Sequence, residues 1–231
     1  MTLVLLPGML CDAAFWRAQI EAFGDTQVIG FGTRDDFDAM AERVLAEAPA
    51  RFALAGHSMG GRVALEVMRR APERVARLAL VATDYRGHPD DASYAAEEAR
   101  RSAILGRIAA AGMRGFAQGW AAQVIARENM EDAVLVSDVV EMMARHAPEV
   151  AAAQTLAGLK RRDQSDVLAS VACPTLIVAG AEDALRPVAV HRAMAERVRH
   201  SDLVVVEGAA HMVAMERPAA TISAMRNWLA H

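Results

Sequence analysis

One six-residue stretch, Gly56-His57-Ser58-Met59-Gly60-Gly61, limits the folds open to this chain more than any other. It stands between the apolar run Phe52-Ala53-Leu54-Ala55 and an amphipathic helical pattern carried by Val63, Ala64, Val67 and Met68. A G-x-S-x-G turn that joins a strand to a helix is tight, so the residues around its serine have to be small. Gly56 and Gly60 give that room, and Gly61 lets the new helix lie close to the strand. The serine hydroxyl is forced outward. The motif alone arises by chance in Gly- and Ser-rich turns, and its place between strand and helix is what gives it weight.

The same alternation runs through much of the chain. Short β-branched or Leu-rich runs bounded by Gly, Pro or Asp predict strands near residues 2–6, 26–30, 51–56, 76–82, 174–180 and 202–206. Helical patterns predict helices near 12–22, 37–48, 59–70, 187–198 and 212–229. Such alternation implies an α/β fold: a mainly parallel sheet with helices on both faces and right-handed crossovers. Between Asp84 and Asp166 the rhythm stops, and Ala-rich helical segments take over at Ala92–Ala110, Met113–Ala126, Glu131–His146 and Pro148–Lys160. The chain thus divides into a core of residues 1–84 and 166–231 and a helical insertion of 85–165. An insertion at this point could simply cap the sheet's edge. It also lies beside the C-terminal ends of the strands, where ligands bind, and a lid is the expectation drawn here.

Composition sets the outer limits. At 231 residues the chain suits one domain, or one domain with a small insertion. Hydrophobic residues at 54% describe a chain that packs a core and is not disordered. A net charge of −4 without a dense Lys/Arg patch argues against nucleic acid as a partner. Arg69, Arg70 and Arg192 read as solvated helix faces. Cys11 and Cys173 lie far apart and read as free thiols in a reducing compartment. The apolar start, Met1 to Leu6, has no basic flank and stops at Pro7-Gly8, too short for a signal or a membrane span. A buried parallel strand explains it better, and a cytoplasmic protein with a small-molecule substrate and no membrane partner is expected, its oligomeric state unspecified by the sequence.

Two further residues complete a chemical pattern with Ser58. Asp183 follows the apolar run Thr175-Leu176-Ile177-Val178, and His211 follows Leu203-Val204-Val205-Val206. Alone, Ser58 could be a turn serine, Asp183 a capping residue before the helix at Pro187, and His211 a loop histidine. Serine, acid and histidine in this order, each past the end of a strand, form the chain order of the α/β-hydrolases. The chain resembles that superfamily from Leu3 to Leu229, less clearly from Tyr85 to Asp166, and in particular its compact esterase, lactonase and carbon–carbon hydrolase branch. Relatives usually begin with an antiparallel hairpin. This chain starts at the strand that would be third, so a sheet shortened at that edge is expected.

The resemblance implies a role for each residue. Ser58 would be the nucleophile, His211 the base that takes its proton, and Asp183 the group that holds the histidine's tautomer. The family pattern G-x-x-D favours Asp183 over its neighbour Glu182. An oxyanion would be met by the backbone N–H groups of Met59 and Met9. Many relatives carry His-Gly where this chain has Pro7-Gly8, which removes a polar side chain but leaves both donors. His57 would point away from the base. Leu10, Trp16, Phe116 and Trp120 are candidates to line a pocket, although aromatics at helical spacing are more often core. Arg62 is either a cation for a carboxylate substrate, as such branches often have, or part of a solvated face. Cys11 reads as a bystander, and Asp163 and Asp166 as solvated or capping groups. His88, His146, His191, His200 and His231 show no ligand-like spacing, so neither a metal nor a cofactor is expected.

Taken together, the residues and the resemblance describe a serine hydrolase of a small, fairly apolar carboxylic ester, thioester or lactone, working through an acyl-enzyme on Ser58. The alternatives are a carbon–carbon hydrolase or a lyase similar to the menaquinone-pathway synthase. A ligand-binding α/β-hydrolase fold without turnover is the remaining class.

Overall fold

Every apolar run read as a strand becomes one in the computed structural model, which describes residues 1–230 and leaves His231 outside the described residues. The strands are β1 (Leu3–Leu6), β2 (Thr26–Val28), β3 (Phe52–His57), β4 (Val75–Val81), β5 (Thr175–Gly180) and β6 (Ser201–Val206). They form one six-stranded sheet in the order β2-β1-β3-β4-β5-β6, and all five pairings are parallel. Period-two alternation sends side chains to two separate cores. Leu3, Leu5, Ala53, Ala55, Ala79, Val81, Leu176 and Val178 pack on one face with Phe15, Trp16 and Trp228. Val4, Leu6, Phe52, Leu54, Leu78, Leu80 and Ile177 pack on the other with Met40, Val44, Val63 and Met194. Buried on both faces, the central strands have to be apolar throughout, and β1, β3 and β5 are fully buried.

The helices are α1 (Arg17–Phe23), α2 (Phe37–Glu47), α3 (Met59–Arg70), α4 (Asp91–Val124), α5 (Ala133–Ala144), α6 (Pro148–Leu159), α7 (Ser165–Ser170), α8 (Val188–Ala195), α9 (Val213–Glu216) and α10 (Pro218–Ala230). Three differ from the sequence reading. Residues 12–16 form a turn rather than the start of α1, with i→i+3 bonds at Phe15, Trp16 and Arg17 and Asp12 Oδ1 accepting from Ala14 N–H. The helix expected over 212–229 is broken after Glu216, because Pro218 has no N–H and starts a new helix instead. The six-residue α7 is too short to show a period, and its neighbour Asp163 accepts from Ser165 N–H at 2.9 Å. Asp166 is exposed, as expected of a solvated group, and forms a two-pronged ion pair with Arg69.

Helices α4, α5 and α6 fill the gap in the alternation. A single element runs from Asp91 to Val124 with a kink at Gly112, whose φ of 70° lies in the left-handed region where glycine is unstrained. Ile104, Ile108, Phe116, Ala117 and Val140 of these helices join the same core as β1, so the insertion is packed onto the rest of the chain. Among the described residues, no helix is long and apolar enough to cross a membrane.

Candidate active site

The turn after β3 adopts the geometry that its glycines demand. Ser58 sits at φ 50° and ψ −112°, a strained conformation for a residue with a side chain. A Cβ on Gly56 would come within 2.3 Å of the Gly60 carbonyl oxygen, and one on Gly60 within 2.4 Å of the Leu6 carbonyl oxygen. Backbone meets backbone at both places, so neither position admits a side chain. Thr83, just past the end of β4, braces the turn by donating its hydroxyl to the Ser58 carbonyl at 2.6 Å. The Ser58 side chain caps no helix N–H, which leaves its Oγ free.

That Oγ lies 2.9 Å from His211 Nε2, and His211 Nδ1 lies 2.7 Å from Asp183 Oδ2. Three loops that follow β3, β5 and β6 therefore bring residues 58, 183 and 211 into one hydrogen-bonded chain. Asp183 Oδ1 accepts from the backbone N–H groups of Leu185 and Arg186, both at 2.9 Å. Burial works to raise the Asp183 pKa, but His211 and these backbone donors outweigh it and hold the carboxyl below its ordinary range. Glu182 is exposed and does not meet His211. Such an arrangement can draw a proton from the serine and store it on an imidazolium faced by a carboxylate.

His57 does not point away from this chain. Its Nε2 lies 3.0 Å from the His211 carbonyl oxygen, its ring stacks 3.8 Å from Phe15, and the two histidine rings are 5.0 Å apart. With Nε2–H donating, the buried Nδ1 is left without a partner. Burial, seconded by His211, pulls the His57 pKa well down and keeps the ring neutral. His191 is also pulled down by burial, and its Nε2 accepts from Thr83 N–H at 3.1 Å. The unfolded chain can protonate both below the ordinary histidine pKa of 6.5, and the folded one resists it. Stability should therefore fall as pH drops through 6.5, by at most about 1.4 kcal/mol per pH unit for each group. Urea unfolding at pH 7.5 and 5.5 should show this loss, and His57→Phe should reduce it. Equal stability at the two pH values would contradict it.

Sequence reasoning located one side of the pocket and missed the other. Leu10, Phe116 and Trp120 do line it, together with Ile104, Val124 and Met143. The two aromatic rings stack at 5.4 Å. Trp16 does not reach the pocket: it is fully buried in the core, with Nε1 donating to the Leu6 carbonyl at 3.3 Å. Cys11 lines the wall, but burial pushes its thiol up to about 12, so no thiolate forms there. Arg62 is not a solvated residue. It is 4% exposed and opens onto the pocket with Arg100, Arg101, Arg161 and Arg186, and no Asp or Glu joins that lining.

Two carboxylates stand behind these five guanidinium groups. Glu97 accepts from Arg100, Arg101 and Arg161 at 2.7–2.9 Å. Asp84 binds Arg86 at 2.9 Å and lies 3.9 Å from Arg62. Arg62 donates one nitrogen to the Arg86 carbonyl, while its buried Nη1 finds no partner. Burial outweighs Asp84 at Arg62, and Asp84 with Asp183 at Arg186, and lowers the pKa of both arginines. Arginines scattered through two helices and two loops leave no local pattern, so only Arg62, beside the serine turn, was open to reading in advance.

A parallel sheet with its serine on the β3–α3 turn, and with acid and histidine after later strands, defines an α/β-hydrolase. The chain belongs to the hydrolase family described as serine aminopeptidase, S33, whose model matches residues 32–218. It is 30% identical over 229 residues to the pimeloyl-[acyl-carrier protein] methyl ester esterase of Aliivibrio salmonicida, covering 90% of this chain and 84% of that one. It is 29% identical over 216 residues to the biotin biosynthesis bifunctional protein BioHC of Teredinibacter turnerae, covering 83% of this chain but only 38% of that protein. A solved thermophilic esterase from Thermogutta terrifontis, with malate bound, superposes with a TM-score of 0.87 at 27% identity, over 100% of this chain and 89% of that one.

Proposed function

We propose that this hydrolase cleaves a carboxylic ester whose acid or alcohol part carries a second, anionic group, through an acyl-enzyme on Ser58. Ser58 attacks as His211 takes its proton, Asp183 holds the imidazolium, and the leaving alcohol takes the proton back. A water activated by His211 then releases the acid. The N–H groups of Met9 and Met59 meet the oxyanion in both steps, the second of them at the N-terminus of α3. Residues 85–165 serve as the lid, and Phe116 and Trp120 hold the apolar part of the substrate.

One observation carries the anionic part: the Ser58–His211–Asp183 chain opens onto a pocket with five arginines and no carboxylate in its lining. A carboxylate there would offset the burial that lowers the pKa of Arg62 and Arg186 and supply a partner for Arg62 Nη1. A fairly apolar substrate accounts for the aromatic wall alone. The names of the relatives support the ester, and the malate in the Thermogutta esterase is a dicarboxylate.

The test compares p-nitrophenyl hemisuccinate with p-nitrophenyl butyrate, nearly equal in size and different in charge. Charge-assisted hydrogen bonds contribute about 1.5–3 kcal/mol, so kcat/KM should be roughly 10- to 100-fold higher for the hemisuccinate. Arg62→Met and Arg186→Met should each erase most of that preference and leave butyrate turnover within a few fold. A wild type that prefers the neutral ester would remove the anionic group from the reading.

A further inference from the structure

The loop after β1 reverses direction at residues 8–11, where Cys11 N–H donates to the Gly8 carbonyl at 3.1 Å. Leu10, third in this turn, has a φ of 55°, while Met9 before it lies outside the left-handed region. That combination is a type II turn, which favours glycine in the third position and strains leucine there. Two bonds hold the Met9–Leu10 peptide in this orientation. Leu10 N–H donates to Gln154 Oε1 at 2.8 Å, and the Cys11 thiol donates to the Met9 carbonyl at 3.5 Å. Flipping the peptide would relieve Leu10 and turn both groups away from their partners.

Gln154 is 3% exposed and belongs to α6, so its bond to Leu10 joins the helical insertion to the loop after β1 across 144 residues of sequence. The turn is pressed against the nucleophile. A Cβ on Gly8 would come 3.3 Å from Ser58 Cβ and 2.6 Å from His57 Nδ1. Met9 N–H belongs to the preceding Gly8–Met9 peptide, whose carbonyl accepts the Cys11 N–H that closes the turn, so its direction is held by the same turn.

We propose that Gln154 is a positioning residue: from α6 it locks the Gly8–Cys11 turn in its strained form, so that Met9 N–H faces the reacting carbonyl only while α6 is seated. The inference rests on the ester-hydrolysis reading above, with Met9 as one oxyanion donor. The seating of the insertion and the completeness of the oxyanion site become one event. The Gln154 side chain also lines the pocket, yet only its oxygen is committed to the loop.

Gln154→Met fills the same volume without an acceptor, and Gln154→Glu restores the acceptor. With p-nitrophenyl acetate, which has no anionic group, Gln154→Met should lower kcat about 10- to 100-fold, below the full loss of an oxyanion donor, with KM within about threefold. Fluorophosphonate labelling of Ser58 should slow by a similar factor. Gln154→Glu should recover most of the kcat. Leu10→Gly, which makes a type II turn favourable by itself, should recover part of the loss when added to Gln154→Met. A Gln154→Met enzyme with unchanged kcat, or a loss that neither Glu nor Leu10→Gly recovers, would overturn the proposal. Ser58→Ala separates the two claims. Activity lost there but intact in Gln154→Met removes only the positioning role, whereas activity that survives Ser58→Ala removes the hydrolysis reading itself.

Discussion

Ser58→Ala is expected to lower kcat on p-nitrophenyl acetate about 10⁶-fold, leaving only the residual rate that binding and an oxyanion site give a triad hydrolase. No neighbouring group can take its place. The Cys11 thiol stays protonated in its buried setting, and His57 is committed through Nε2 to the His211 carbonyl. The substitution deletes one oxygen from a partly exposed position, so the fold and the affinity for an anionic ligand such as succinate should persist. Steady-state kinetics together with calorimetry of succinate binding check both halves. A variant that keeps a tenth of the activity would mean that Ser58 is not the nucleophile.

Asp183→Asn should cost about 10⁴-fold in kcat, while Glu182→Gln should change it less than about twofold. The amide can still accept from Leu185 and Arg186 N–H, so the loop after β5 keeps its shape. Facing His211, the new NH₂ group would compel Nδ1 to accept and place the proton on Nε2, directed at the serine. The histidine is then held in the tautomer that cannot act as a base. Exposed Glu182 has no part in that tautomer. A reversed pair of results, measured with the same ester, would move the acid to Glu182.

The parts of this molecule that follow short-range rules could be read in the chain. The glycines around Ser58, the apolar strands and the acid and histidine that follow β5 and β6 each leave a local pattern, and the sheet brings their ends together. Groups assembled from distant segments left none. Arg101, Arg161 and Arg186 come from α4, the stretch after α6 and the loop after β5, and each looks like a surface cation in its own neighbourhood. Trp16 was misread for a related reason: its spacing fits pocket and core alike, and its bond to the Leu6 carbonyl decides for the core. His57 follows the same logic, since its approach to the His211 carbonyl depends on how two loops meet. The break at Pro218 was written in the sequence, but the apolar pattern on both sides bridged it.

The central claim is a covalent acyl-enzyme on Ser58. Rapid mixing of the protein with p-nitrophenyl acetate, acid quench within milliseconds and peptide mass spectrometry test it directly. The account predicts a burst of p-nitrophenolate approaching one equivalent when deacylation is the slower step, and an acetyl group on the peptide that carries Ser58. With His211→Gln both the burst and the adduct should vanish. Turnover without any adduct on Ser58 in a quench series that spans the burst, or an acetyl group on another residue whose removal abolishes activity, would contradict the account and favour a reaction in which Ser58 serves without being acylated.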